Sequence, residues 1–371
     1  VEPLAPGTVI VVPDNPDAAT DAPGGSTADG PDEVAVSVAG ARFRFWETIT
    51  IERSLDAVDT FKLSAPMGAP VAGAFVPLSF APASIAVGGV PLFTGTVVTV
   101  DPDLGNDAKR IAVGGYSVPG VMGDCTPPAS AFPLEFRGQS LSRIAKTIAT
   151  PFGVKVVFDS DAGGAFDLVA CDKETTALAF LIDLAKKRGL LVSSTPAGAL
   201  RFYAPTGTGA PVARFRQGVP PLQGVGVTIA PQGFYSSVTG VRASLIGRRG
   251  GQYTARNPML PGVVRPYTFA LDDTDTGTVR AAVLAKIGRM FGAVVSYSMT
   301  LPTWRTPAGN LWAPGDLVTM YAPDAMINHE YTLMVRAVTF SRSKAAATCA
   351  LELVLPGSFS GQIPERMPWA V

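Results

Sequence analysis

The sequence predicts a mainly β protein with an α/β insert. Two β-barrel-like domains flank a small α/β domain, and an extended N-terminal arm precedes them. Three observations predict this plan. The 371 residues include 39 Gly and 33 Pro, a composition of strands joined by many turns. Apolar and polar residues alternate with period two through two long regions. Between those regions the apolar spacing switches to the i, i+3, i+4 pattern of helices. A chain of this length holds two or three domains, and its 47% of apolar residues can fill their cores.

Residues 1–33 hold seven acidic residues, six prolines and no Lys or Arg. After Val12 there is too little apolar content to offset the entropy of ordering. The segment reads as an extended arm, either mobile or draped over a neighbouring subunit. The first β-barrel-like domain, 34–131, opens with "EVAVSVAGARFRFWETITIERSLDAVDTFKLSAP". The alternation there, broken at Ala39-Gly40-Ala41, gives a hairpin and then a further strand. "SIAVGGVPLFTGTVVTVDPDLGNDAKRIAVGGYS" continues it, with turns at Gly88-Gly89 and 103–106. Whether this unit closes as a barrel or packs as a sandwich is left open by the pattern.

The small α/β domain, 132–210, is marked by "SLSRIAKTIATPFGVKVVFD". Ser140 can cap a helix whose Leu141, Ile144, Ala145 and Ile148 form one face. Pro151 ends that helix and Gly153 releases the chain into the strand "VKVVF". A second helix, "TTALAFLIDLAKKRG", carries the stripe Leu178, Leu181, Leu184 and Ala185. Its last turn is basic and Gly189 terminates it. Strands "LLVSS" and "ALRFYAP" complete the domain. The second β-barrel-like domain, 211–356, has a hairpin turning at 248–251 and one helix over 278–291. Val279, Val283, Ile287 and Met290 share a face of that helix. It closes with "AVVSYSMTLPTW", "DLVTMYA", "YTLMVRAVTFSRS" and "ATCALELVL". Residues 357–371 form a Pro-containing tail.

No catalytic signature stands out. His329, the one histidine, sits beside Glu330 in "DAMINHEYT" and reads as a solvated turn residue rather than a base. Cys125, Cys171 and Cys349 are far apart and odd in number, which suits free thiols in a reducing compartment, not disulfides or zinc. "DDTDTGT" (272–278) places Asp273, Asp275 and Gly277 as a calcium loop would. Leu284 stands where the closing bidentate Glu is needed, so these acids read as a helix N-terminal cluster. Catalytic, metal and cofactor residues are therefore expected to be none. Charge is balanced, 30 basic against 30 acidic residues, so no overall basic field holds nucleic acid. The charged fraction is only 16%, as in chains that bury their exterior against other subunits. "GRRGGQYTAR" (247–256), near Arg242 and Arg265, is the one concentrated basic patch. It reads as a solvated hairpin tip or as a contact to a partner or a nucleic-acid-carrying channel, with Arg248, Arg249 and Arg256 as candidates. Trp46, Trp304 and Trp312 are either core aromatics or interface anchors. No apolar run reaches the ~18 residues of a membrane span, and no signal segment opens the chain. Membrane insertion by this chain is not expected.

The order of parts resembles a known family. "GARFRFWETITIERSLDAVDTFKLSAP", "PLFTGTVVTVDP", "GDCTPPAS", "FRGQSLSRIAKTIATPFGVKVVFD", "NLWAPGDLVTMYAP" and "YTLMVRAVTFSRSKAAATCALELVLPGSF" follow one another. This looks like the baseplate hub of Mu-type contractile-tailed bacteriophages, which is related to the hub part of type VI secretion spikes. The resemblance covers about residues 34–360 and implies a structural virion protein of the tail baseplate, assembled in the host cytoplasm and not an enzyme. It implies a homotrimer with a pseudo-sixfold ring, in which two β units per chain alternate around the axis. The implied partners are the central spike, the tail tube or its initiator, and baseplate wedge proteins. DNA or tape-measure protein would pass through the channel unread, during genome ejection. Alternatives are the hub of a phage-tail-like bacteriocin or type VI secretion particle, and, from another class, a tail-associated cell-wall hydrolase. The acidic arm has no counterpart in the family pattern.

Overall fold

Two-residue turns fold the first β region into a meander. Ala39 and Gly40, then Gly88 and Gly89, all have positive φ. That geometry gives a hairpin turn whose twist matches its strands. The computed structural model describes residues 32–105, 109–242, 251–271, 279–359 and 366–370. The arm up to residue 31, the acidic 272–278 loop and most of the 248–251 turn lie outside the described residues. The first region supplies β1 (Val34–Val38), β2 (Ala41–Phe43), β3 (Thr48–Ser54), β4 (Thr60–Pro66), the short helix α1 (Ala69–Ala74), β5 (Pro82–Val87), β6 (Val90–Leu104) and β7 (Lys109–Ser117).

The middle region begins with α2 (Val121–Asp124) and β8 (Glu135–Gln139). Then come α3 (Leu141–Ala149), β9 (Val156–Phe158), β10 (Phe166–Ala170), α4 (Ala177–Lys187), β11 (Leu191–Ser194) and β12 (Leu200–Tyr203). Ser140 caps α3 as its sequence predicts, its hydroxyl accepting from the Arg143 N–H at 3.4 Å. Leu141, Ile144, Ala145 and Ile148 are fully buried against Leu181, Leu184 and Ala185 of α4. The predicted "VKVVF" strand is shorter, reduced to Val156–Phe158, which pairs in parallel with β12.

The last region comprises β13 (Ala213–Arg216), β14 (Val225–Ile229), β15 (Ser237–Arg242), β16 (Gln252–Arg256), β17 (Pro266–Leu271) and α5 (Val279–Val294). It ends with β18 (Val295–Leu301), β19 (Leu317–Ala322), β20 (Ile327–Ser343) and β21 (Ala347–Val354). The strand β20 is longer than predicted, so His329 lies inside a strand and not in a turn. Trp304 and Trp312 are buried and Trp46 is half-buried, so none of the three is an exposed anchor in this chain.

The molecule is mainly β, with several sheets and none of them closed among the described residues. The sequence suggests two separate barrel-like units, but the two β regions run into one 13-stranded open sheet. Its path is β14-β18-β21-β20-β3-β4-β7-β6-β5-β1-β2, with β19 attached to β20 and β13 beyond it. The join is the antiparallel pairing of β3 with β20, from Ser54↔Ala337 to Thr48↔Ser343. One hydrophobic cluster accordingly contains Ile49, Ile51 and Phe61 together with Val338, Phe340 and Leu351. The middle region keeps its own core around α3 and α4. A small third cluster, Leu55, Tyr203, Leu317, Met334 and Val354, sits where all three regions meet.

Candidate partner interface

The described part of the predicted basic patch, 251–256, falls on a separate three-stranded sheet, β16-β15-β17. Strand alternation turns Val238, Gly240, Tyr253, Tyr267 and Phe269 to the α5 side and leaves the other face outward. Register builds that outer face in rows. Arg256, Ser237 and Pro266 form one, Thr254, Thr239 and Thr268 the next, and Gln252, Val241 and Ala270 the third. Thr239 and Thr254 share a hydroxyl hydrogen bond at 2.9 Å. In these rows Arg256 is the single charge, and it is exposed. Arg248 and Arg249 lie outside the described residues. The register puts Arg256 opposite Ser237, four residues or ~14 Å along the strand from the Gln252 end. Arg265, next to the patch in sequence, is already engaged. Its guanidinium donates to the carbonyls of Phe234 (3.1 Å), Gln232 (2.9 Å) and Pro231 (3.3 Å).

A second basic surface was not singled out by sequence reasoning. In β13 the buried Ala213 and Phe215 alternate with exposed Arg214 and Arg216. The parallel register with β19 sets Arg214 beside Thr319 and Arg216 beside Tyr321. A cleft of about 220 Å³ opens there, walled also by Val219, Pro220 and Glu330. The Arg216 guanidinium lies 5.0 Å from the Tyr321 ring centroid, within cation–π range. The alternation "ARFR" was the available signal; its partner strand, a hundred residues on, was not.

A polar knot ties the three regions together at the β3–β4 turn. Asp59 is buried, and its carboxylate accepts from Arg53 Nε at 3.1 Å. Its backbone N–H donates to the Ser194 hydroxyl of β11 at 2.8 Å. Tyr203 of β12 donates its hydroxyl to the Leu55 carbonyl at 2.7 Å. On the other side Arg336, at a bulge in β20, donates to Asp56 and Glu352, each at 3.0 Å. Burial pushes the Asp59 carboxyl up to about 6, against the opposing pull of Arg53.

The groups that could do chemistry are placed quietly. Burial pushes the Cys349 thiol up to about 12, and Cys171 is raised by burial and by Asp172, so neither is an activated nucleophile. The His329 ring Nδ1 lies 3.2 Å from the Ala370 carbonyl, against the C-terminal tail. Among the described residues no group of three His, Cys, Asp or Glu could hold a metal ion. Nor is any helix long and apolar enough to cross a membrane.

Comparison with known proteins places this architecture. Residues 120–204 match the family model described as "Baseplate hub protein gp44-like, second domain". A relative, the baseplate hub protein gp44 of Escherichia phage Mu, is 25% identical over 175 residues. That stretch is 46% of this chain and 45% of the relative, so the match spans less than half the relative's length. The 43 kDa tail protein of prophage MuSo2 from Shewanella oneidensis superimposes with a TM-score of 0.75 at 22% identity, covering 88% of this chain and 99% of that one. A tail protein from Neisseria meningitidis gives 0.75 at 18% identity, covering 88% and 98%. A type VI secretion component of Escherichia coli gives 0.54 at 12% identity, covering 86% and 76%. Residues 120–204 are thus similar to a gp44-like baseplate hub second domain, and the chain as a whole shares the fold of solved tail proteins.

Proposed function

We propose that this chain is a structural hub subunit of a contractile-tail baseplate. Three copies form a ring of pseudo-sixfold outline that joins a tail tube to a trimeric central spike. The observation that carries this reading is the setting of the hub-matched segment, 120–204. Its Ser194 and Tyr203 hydrogen-bond the β3–β4 turn, and Tyr203 also packs with Leu317, Met334 and Val354 of the last region. The matched segment is therefore joined to both β regions. In this reading 34–131 and 211–356 are the two β units that share the large sheet, 132–210 is the insert, and 1–33 and 357–371 are arm and tail. Two β units per chain give six around a threefold axis, which is how a trimer meets a sixfold tube.

The edges suit such an assembly. Among the described residues β2, β13 and β14 end the large sheet, each with one side unpaired, and unpaired strand edges can join neighbouring copies. DNA or tape-measure protein passes the axis without sequence reading. The sparse outer face bearing Arg256, with Arg248 and Arg249, is a channel or partner contact in this reading. Wedge proteins and the tube contact the remaining exterior, and the particle is a virion tail. A second reading, the hub of a secretion particle or a phage-tail-like bacteriocin, has the likeness to the type VI component behind it, at a TM-score of 0.54 against 0.75 for the tail proteins.

Light scattering of the purified chain, alone and with its cognate spike, tests the assembly. The expected mass is that of three copies in at least one of the two samples. A stable monomer in both would remove the ring.

A further inference from the structure

We infer that the cleft beside β13 is a carboxylate-binding site, and that its occupant is the acidic N-terminal segment, residues 1–31. Two guanidinium groups face one way there, Arg214 and Arg216, spaced two residues or ~7 Å apart along the strand. Neither makes an ion pair among the described residues, although Glu330 lines the same cleft. Tyr321 and Thr319 bring hydroxyl groups to the same wall. Arginine forks and hydroxyls together recognise carboxylates. Among the described residues β13 pairs only with β19, so its outer side is an unpaired strand edge.

Charge complementarity names the occupant. Residues 1–31 contain Glu2, Asp14, Asp17, Asp21 and Asp29 and no Lys or Arg, which leaves 30 basic against 25 acidic residues over the rest of the chain. The neutrality of the whole is therefore a sum of an acidic segment and a basic body. Where the segment joins that body, guanidinium capture is already in use. The Asp32 carboxylate accepts from Arg305 Nε at 2.8 Å, its carbonyl accepts from Arg342, and Glu33 pairs with Arg42. Thirty-one residues span up to ~100 Å when extended, so the cleft of the same copy or of a neighbouring copy is within reach. This inference does not rest on the hub reading.

The test uses the full chain. Arg214→Lys/Arg216→Lys keeps the charge and introduces amines that a carbodiimide joins to adjacent carboxylates. The expected product, read by mass spectrometry, is an amide from either position to Asp14, Asp17 or Asp21, within or between copies, and lost in high salt. Links only to Glu330 or Asp324, or no links, would overturn the proposal. A second measurement covers a misfolded variant. In Arg214→Glu/Arg216→Glu, with unchanged circular dichroism, a protease specific for aspartate should cut within residues 1–31 about tenfold faster than in the unmodified chain, and an equal rate would count against the site. Protection of the introduced amines by a single-stranded oligonucleotide but not by a synthetic peptide of residues 1–31 would reassign the cleft to nucleic acid and end the proposal.

Discussion

Asp59 is the residue on which the chain's internal electrostatics turn. Its carboxyl titrates at about 6 in the fold, against an ordinary 3.8, because desolvation outweighs the Arg53 pairing. A carboxyl whose pKa is raised by folding stabilises the fold while protonated, and that stability is lost as pH rises through the folded value. The shift of about two units corresponds to roughly 3 kcal/mol. Stability measured by urea unfolding should therefore fall between about pH 4 and pH 6.5, and Asp59→Asn should flatten that part of the profile. An unchanged slope in the variant would place the titration elsewhere. None of this was legible in "SLDAVDTF", because the burial comes from Ser194 and its strand, 135 residues away. The same holds for Arg265. Its proximity to a basic run suggested a surface role, while folding spends its guanidinium on three carbonyls. Local signals fared better where the cause was local, as with the Ser140 cap and the αL residue Gly153, whose φ is 69°.

At the scale of elements, the sequence carried strand and helix identity well and pairing poorly. Periodicity marks which residues of α3 and α4 are buried, since one face of a helix is decided within a dozen residues. It does not say that β20 continues through His329, because polar residues at exposed positions look alike in a strand and in a turn. Nor does it say which strands adjoin. The tight crossing of β6 and β7 is an example. Strand β6 gains an extra residue near Val98, where the register shifts, and the chains approach so closely that two glycines are required. A methyl group on Gly115 would sit 2.0 Å from the Thr96 carbonyl oxygen, and 2.7 Å from the Phe61 ring. At Gly240 the nearest atoms, 2.8 Å from Val283 and 3.1 Å from Leu271 and Val279, are side-chain methyls that can move. Gly115→Ala should thus cost about 3 kcal/mol or more and Gly240→Ala only about 1 kcal/mol. Denaturant midpoints check the order; the reverse order would mean that β6 and β7 are further apart than described.

The whole molecule raises a question that neither the alternation nor the family resemblance could answer: how many cooperative bodies does it contain? Reading along the chain gives three successive units. The pairing of β3 with β20 merges the first and last into one sheet, with one apolar cluster serving both. The middle region keeps a separate core and joins the rest through a few polar contacts and the small Leu55–Tyr203 cluster. Cooperative units follow shared cores rather than chain order. Native-state hydrogen exchange on the full chain should then find β3 and β4 opening with the same free energy as β20 and β21, although nearly 300 residues separate them in sequence. Amides of α3 and α4 should open at a different, lower free energy, because a 23-member buried cluster can come apart without breaking the large sheet. Moving the pH from 4 to 6.5 should widen that gap, since opening the insert returns the ionised Asp59 carboxylate to water. Equal opening energies for β3 and α3 at both pH values would mean that the insert is fused to the sheet, and that the β3–β4 turn is no boundary at all.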